Sequence, residues 1–406
     1  MTAAQSATAK LPLDWPTRTN EEWQRSRVDR FALDTRRVAA PAASQPKALA
    51  RNPDFAGRLT FVDGVLTGVD LDPALPAGAV FGPLTAAPGV VEAHLTRGRA
   101  ASDTLASATH YGRIEFGAVL SVPARWVSEK PFLIEVTENR KDVVTTPHFA
   151  VTIGSAAQAS LVIRSGSPAG QSFTVDSATT VEVGDGAHFT FSELQTQGLG
   201  AAVLDHSFAT LGRDAQFFHW CAPVGGAVVK TRFDFTLAGE GASVKTHGLY
   251  FGTEDQHKDL RISLTHGAPH TTSYALYKGA VRDRSRTVFQ GLIEVNPGAN
   301  GTDAYLSNKN LVLNDGARAD SLPQLKIDTN DVKCSHGSTT GKVNDDEVYY
   351  LTTRGFSKEE ARILIAQGLF AELVDEAPAF LRDEVETLVT CALGADADLG
   401  VCKEDE

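Results

Sequence analysis

From Lys130 to about Ile327, apolar and polar residues alternate in short runs rich in Val, Thr and Phe, as in Thr179-Thr180-Val181-Glu182-Val183. Side chains of an extended segment point alternately to two faces, so such runs predict β-strands. Between the runs a turn recurs, most clearly as Gly154-Ser155-Ala156-Ala157, Gly184-Asp185-Gly186-Ala187, Gly212-Arg213-Asp214-Ala215 and Gly239-Glu240-Gly241-Ala242. Looser copies end at Ala268, Ala299 and Ala317. The closing alanines lie 26 to 31 residues apart from Ala157 to Ala299, and the last step, to Ala317, is 18. A sandwich of short strands turns every ~8–12 residues. The longer period, with Gly at a corner and Ala tucked behind it, predicts a stacked β-solenoid whose coils bury their strands on one another.

The flanks differ in kind. Thr19 or Asn20 can cap a short helix carrying Glu21, Glu22 and Trp23, and Pro41 to Arg51 reads as linker. Asp63-Gly64 between Phe61-Val62 and Val65-Leu66 predicts a tight hairpin, and Val90 to Phe116 is mixed and only weakly helical in pattern. Beyond the repeats, Asn344 caps a helix that runs through Tyr350 and Leu351 and stops at Gly355. Ser357-Lys358-Glu359-Glu360 is a capping box opening a second helix with Ala361, Leu364, Ile365, Gly368 and Leu369 on one face. A third follows Pro378 through Phe380, Val385 and Leu388, and the acidic tail from Gly394 to Glu406 is expected to fray. The expected architecture is mainly β. An N-terminal helical and mixed region (1–125) and a C-terminal helical region (341–406) flank a β-helix core (126–340).

Composition narrows the function. Acidic residues outnumber basic ones by 50 to 38, and no basic tract occurs, which argues against nucleic acid or an anionic membrane as partner. Met1 to Lys10 lacks the apolar run of a signal peptide, and no segment is long enough to span a bilayer, so a cytoplasmic location is expected. Four cysteines are too few and scattered for a disulfide framework, and Cys391 and Cys402 are expected to be incidental thiols. No G-x-x-x-x-G-K-[ST] is present, so nucleotide binding by a P-loop is not expected of this chain.

The candidate chemistry centres on Asp331 to Gly341, where Cys334 and His336 stand two residues apart. In a strand they share a face, and Lys333 and Lys342 would favour the thiolate, the form that binds soft metals. Two ligands do not close a metal site, so the pair is half of a site completed by another chain, or it is packing. His247, His257, His266 and His270 match no compact ligand spacing and read as structural. Cys221, in an aromatic run, reads as a buried inert thiol. Arg282, Arg284 and Arg286 around Asp283 would share one face of a strand as a small phosphate patch or, more simply, a side wall.

Several blocks together carry a resemblance. They are His266-Gly267-Ala268-Pro269-His270-Thr271-Thr272-Ser273, Lys278 to Arg286, Phe289-Gln290-Gly291-Leu292-Ile293, Leu322-Pro323-Gln324-Leu325-Lys326-Ile327, the Cys334 stretch, and Tyr350-Leu351-Thr352-Thr353-Arg354-Gly355-Phe356. They resemble the SufB/SufD family of iron–sulfur cluster assembly proteins, strongly over roughly the last 150 residues. Pro16-Thr17-Arg18 with Glu22-Trp23 adds a SufD-like opening, and Lys333-Cys334-Ser335-His336-Gly337 is similar to the SufD form. The SufB paralogue has a scaffold cysteine about nine residues before the histidine, where this chain has Ile327. The resemblance implies a right-handed parallel β-helix and a non-enzymatic subunit. That subunit would pair with a SufB-like paralogue and bind a SufC-like ABC ATPase through helices from Asp345 to about Glu372. It implies a nascent iron–sulfur cluster shared transiently with SufB, with His336 and Cys334 as candidate ligands. It further implies a reduced flavin (FAD) in the complex, while a homodimer of the isolated chain is left open by the sequence. Two other readings stand beside it. One is a β-helix carbohydrate-active enzyme using Arg261, Asp259 and Lys258; the other is a purely architectural SufB partner.

Overall fold

The computed structural model describes residues 17, 19, 23–33, 37–38, 45–102 and 105–394. The alternating runs form β1 (Phe116–Val122), β2 (Phe132–Thr137), β3 (Pro147–Ile153), β4 (Gln158–Gly166), β5 (Phe173–Val183), β6 (His188–Thr196), β7 (Ala201–Leu211), β8 (Gln216–Pro223), β9 (Val228–Leu237), β10 (Ser243–Gly252), β11 (His257–His266), β12 (Thr272–Val281), β13 (Arg286–Val295), β14 (Thr302–Val312), β15 (Arg318–Ile327) and β16 (Val332–Lys342). Odd-numbered strands lie side by side in one sheet and even-numbered strands in the other. Neighbours within each sheet are parallel. The chain therefore changes sheet after each strand and climbs one strand per circuit, a parallel β-solenoid of about 8 turns.

The repeat works as expected, with one shift in its inner row. Ala157, Ala187, Ala215 and Ala242 are buried at the corners leading into β4, β6, β8 and β10. In the next two coils that position is held by Thr271 and Thr302, which precede the paired Thr272 and Asp303. Ala268 and Ala299 lie three residues earlier in the same turns, and Ala317 lies at the opposite corner, before β15. Threonine is tolerated in the row because its hydroxyl turns back onto the corner. Thr271 Oγ1 donates to the Ala268 carbonyl at 3.1 Å, and Thr302 Oγ1 to that of Ala299 at 2.8 Å. The short last step thus reflects a change of corner, not of period.

Interior rows from the two sheets meet across the lumen. Phe217 and Phe235 rings lie 5.7 Å apart, His219 and Phe233 4.3 Å, and Tyr277 and Phe289 5.2 Å. A continuous apolar core from Leu59 to Leu306 fills this space. The N-terminal end is closed. The hairpin Gly57–Val62/Val65–Leu71 adds to the even sheet, turning at Asp63 and Gly64 with φ of +53° and +80°, as Asp-Gly predicts. Val80–Pro83 pairs antiparallel with β1. The helix expected after Asn20 falls partly outside the described residues. Trp23, Phe31 and Leu33 pack on the outer face of the odd sheet against Ala202, Leu204 and Val228.

Two helices, α1 (Pro88–Ala101) and α2 (Leu105–His110), precede the solenoid, and three follow it, α3 (Asp345–Thr352), α4 (Lys358–Asp375) and α5 (Arg382–Leu393). Asn344 caps the first, and Ser357 with Glu360 forms the capping box of the second. Both starts follow the expected positions, and α3 ends at Thr352, three residues before the expected stop at Gly355. The buried face of α4 is Ala361, Ala366, Phe370 and Leu373, whereas Leu364 and Gly368 point outward. The reason is the surface available. α4 and α5 lie on the outer face of the even sheet, where Phe251 meets Phe370 at 4.5 Å and Trp220 Nε1 donates to the Leu373 carbonyl at 3.4 Å. Cys391, expected to be an incidental thiol, is disulfide-bonded. The tail beyond Gly394 lies outside the described residues.

Candidate functional site at the open end of the solenoid

Among the described residues, the C-terminal end of the stack has no cap. β15 and β16 each have one sheet neighbour, β13 and β14, so among the described residues each leaves one backbone edge unpaired. Cys334 and His336 lie on β16 in register with Ala304 and Leu306 of β14, both of which are core residues. The pair therefore shares the interior face, as its spacing predicts. With no further coil above, His336 is exposed, and Cys334 is half-buried against the core.

The cross-lumen contacts of earlier coils identify what faces them. The row of Phe217 ends at Cys334 and faces the row of Phe235, which ends at Leu325. By the same succession the His219 row ends at His336 and faces Pro323, and the Tyr277 row ends at Ser338 and faces Ser321. The mouth is thus split into two halves. Leu325 and Ile327, 38% and 39% exposed, with Val332 and Cys334 make one half apolar. His336, Ser338, Thr340 and Ser321 make the other polar. Sequence reasoning found Cys334 and His336 but not the facing residues, because only the solenoid register brings them to one end.

The electrostatics differ from expectation. The Cys334 thiol is pushed up from its ordinary value, first by partial burial and then by Asp303. Lys342 is engaged with Asp315 at 2.6 Å and does not serve the thiol. Both effects favour the thiol form in the chain alone, and a thiolate at Cys334 would need positive charge brought from elsewhere. Among the described residues, no three His, Cys, Asp or Glu side chains are placed to hold a metal ion. Cys334 and His336 can offer one sulfur and one imidazole nitrogen to a site that needs further ligands from elsewhere.

The other candidates fall into structural roles. His266 is satisfied by Thr271 at 2.8 Å and Ser273 at 2.9 Å. Arg282, Arg284 and Arg286 straddle a corner instead of sharing a strand face. Arg284 pairs with Asp255 and Arg286 with Asp320, while Arg282 donates to the Leu393 carbonyl. Lys258 points into the lumen and donates to the carbonyls of Val224 and Gly225 at 2.7 and 2.6 Å. Asp259, on the opposite face, is buried with Lys230 at 3.0 Å and accepts a hydrogen bond from Ser26. Lys230 in turn lies 4.6 Å from the centre of the Trp23 ring. A glycosidase needs two accessible carboxyl groups at its substrate, and Asp259 is sealed under Trp23 and Ser26.

Deeper in the lumen lies a network that sequence reasoning missed. Glu193 Oε2 is 3.2 Å from His219 Nε2, His219 Nδ1 is 2.9 Å from Thr246 Oγ1, and Thr246 is 2.6 Å from Tyr277 OH. Glu193, Asp205 and the buried Cys221 border a cavity of about 60 Å³. Burial pushes Glu193 up to about 8 and His219 down to about 3, so the network is neutral at pH 7.

The fold agrees with comparisons to known proteins. Residues 135–369 match the family model described as SUF system FeS cluster assembly, SufBD core domain. An iron–sulfur cluster assembly SufBD family protein of Mycobacterium leprae is 38% identical over 176 residues, 41% of this chain and 45% of that one. Another from Mycobacterium tuberculosis is 33% identical over 253 residues, 60% and 63% of the two chains. The iron–sulfur cluster assembly protein SufD of Escherichia coli is 34% identical over 205 residues, 50% and 48%. The match thus spans about half to under two thirds of the length of these relatives. Since the family model covers more than half of the chain, and includes the Cys334 strand and most of α4, this chain belongs to the SufBD family of the SUF iron–sulfur cluster assembly system and is SufD-like within it.

Proposed function

We propose that the chain is a non-enzymatic, SufD-like subunit that pairs through its open end with a SufB-like paralogue and helps to build a nascent iron–sulfur cluster at the junction. The observation that carries this reading is the placement of Cys334 and His336 on the interior face of an uncapped last coil. A second solenoid end would cover Leu325 and Ile327, pair the free edges of β15 and β16, and bring its own thiolates to an incomplete ligand pair. The cluster is cargo of the complex, so one sulfur and one nitrogen from this chain suffice when the partner supplies the rest.

ATP-driven steps fall to a SufC-like ATPase, for which α3 and the start of α4 offer a dock. Tyr349 and Tyr350 are 71% and 57% exposed there, and Phe356 and Leu364 lie close by in the chain. No helix among the described residues is long and apolar enough to cross a membrane. A cytoplasmic setting fits the free thiols Cys221 and Cys334, whereas the disulfide of Cys391 is less usual there.

The test is iron and acid-labile sulfide per complex, purified without oxygen after co-expression with SufB-like and SufC-like partners. Native chain is compared with His336→Ala, with assembly checked by gel filtration. Loss of cluster from an intact complex supports the reading. Unchanged cluster content would make the chain an architectural partner.

A further inference from the structure

The row that carries Cys334 and His336 continues past them. Ser338 is the next interior position of β16, directly above Asn308. Ser321 of β15 stands above Phe289, in the row that faces Tyr277, Asn308 and Ser338. Two hydroxyls facing each other across the lumen therefore lie beside His336, on its Ser338 side, at the polar half of the mouth.

Interior hydroxyls lower in the even sheet are engaged. Thr246 lies against His219 and Tyr277, Ser273 against His266, and Thr302 donates to a carbonyl. Asn308 below the mouth is also occupied, donating to Tyr250 OH at 2.9 Å and to the Tyr277 carbonyl at 3.2 Å, and accepting from Asn310 at 2.7 Å. Ser321 differs. Its Oγ is buried and has no hydrogen-bond partner. A buried hydroxyl without a partner carries a desolvation cost that an incoming acceptor removes.

We propose that Ser321 and Ser338 are hydrogen-bond donors to the sulfide of the cluster intermediate beside His336. The proposal rests on reading the open end as the cluster site. Bridging sulfides accept hydrogen bonds, and donors aimed at them stabilise the reduced, more negative state, which raises the reduction potential. The two hydroxyls set how long the nascent cluster is held and at what potential, while Cys334 and His336 hold its iron.

The experiment uses the anaerobically loaded complex with the SufB-like and SufC-like partners. The Ser321→Ala/Ser338→Ala chain is compared with native and with Ser321→Thr/Ser338→Thr, which keeps both hydroxyls. Reduction potential by redox titration and the rate of iron loss to a chelator are read alongside cluster content. The expected result for the alanine form is a more negative potential and iron loss several-fold faster, with the threonine form restored toward native. Equal potentials and loss rates in fully loaded complexes would overturn the proposal. Loss of the partner chain from the alanine form alone would make the hydroxyls interface contacts and also end it. Failure of the underlying reading is seen separately, as full cluster content with His336→Ala.

Discussion

Leu306 lies directly beneath His336 in the same interior row, so the imidazole stands where the next coil's core residue would be. Leu306 is fully buried and His336 is exposed, and the difference is one missing coil. The end of the stack is thus an unfinished core as well as the proposed ligand pair.

That unfinished core should govern assembly. Ile327→Glu puts a charge where a partner's interior would pack, and is expected to weaken association by at least tenfold, about 1.4 kcal/mol or more. Because Ile327 is 39% exposed in the chain alone, its melting temperature should move little. Pull-down of the SufB-like partner and a thermal melt of the isolated chain check the two halves of the expectation. Intact association would place the interface elsewhere.

Tyr349 sits on the outer surface of α3, 71% exposed. Tyr349→Ala is expected to leave stability within about 0.5 kcal/mol of native and to weaken capture of the SufC-like ATPase by about tenfold or more. Isothermal titration with the purified ATPase measures it. Undiminished affinity would remove α3 from the dock.

Lys230 and Asp259 are both 1% exposed in their side chains and closed off by Trp23 and Ser26. Removing one partner leaves a buried charge, so Lys230→Met should destabilise by about 3 kcal/mol or more. Adding Asp259→Leu should recover most of that loss, since a buried ion pair is replaceable by apolar packing. Urea unfolding of the two variants decides. If the double variant is no better than the single, the pair has a role beyond charge compensation.

The lumen predicts an inverted pH dependence. Burial raises Glu193 to about 8, above the ordinary carboxylate value it has when unfolded. Its contribution to stability is therefore fully present below about pH 4.5 and is lost as pH rises toward 8. Glu193→Gln keeps a donor toward His219 without needing a proton. It should be close to native in stability at pH 5 and more stable on the order of a few kcal/mol at pH 8. Urea titrations at the two pH values test it, and a difference that did not grow with pH would show that Glu193 ionises freely in the fold.

The strand pattern and the caps were legible in the chain because both are local. Alternation placed the runs, Asp63-Gly64 placed the hairpin, and Ser357 with Glu360 opened α4 where expected. Cys334 and His336 could be paired because two residues apart on a strand means one face. What escaped was whatever depends on register. Thr271 and Thr302 replaced alanine in the inner row because their hydroxyls close onto the corner, a contact that no residue count reveals. The direction of the Cys334 shift also escaped, since Lys342 lies near in sequence but is drawn to Asp315 across a corner. Ser321 and Ser338 stand apart in the chain and meet only through the rows of Phe289 and Tyr277.

The two ends of the stack are unequal. At the start, the sheets finish in Lys47–Ala48, two residues long, and in Val80–Pro83, whose last residue lacks an amide proton. At the finish, β15 and β16 present ten and eleven residues of open edge. Among the described residues the long open edges lie at one end only, so two chains meeting there would consume each other's adhesive surface and leave no template for a third. Under the proposed pairing, this asymmetry limits a solenoid, an architecture suited to fibres, to a closed pair.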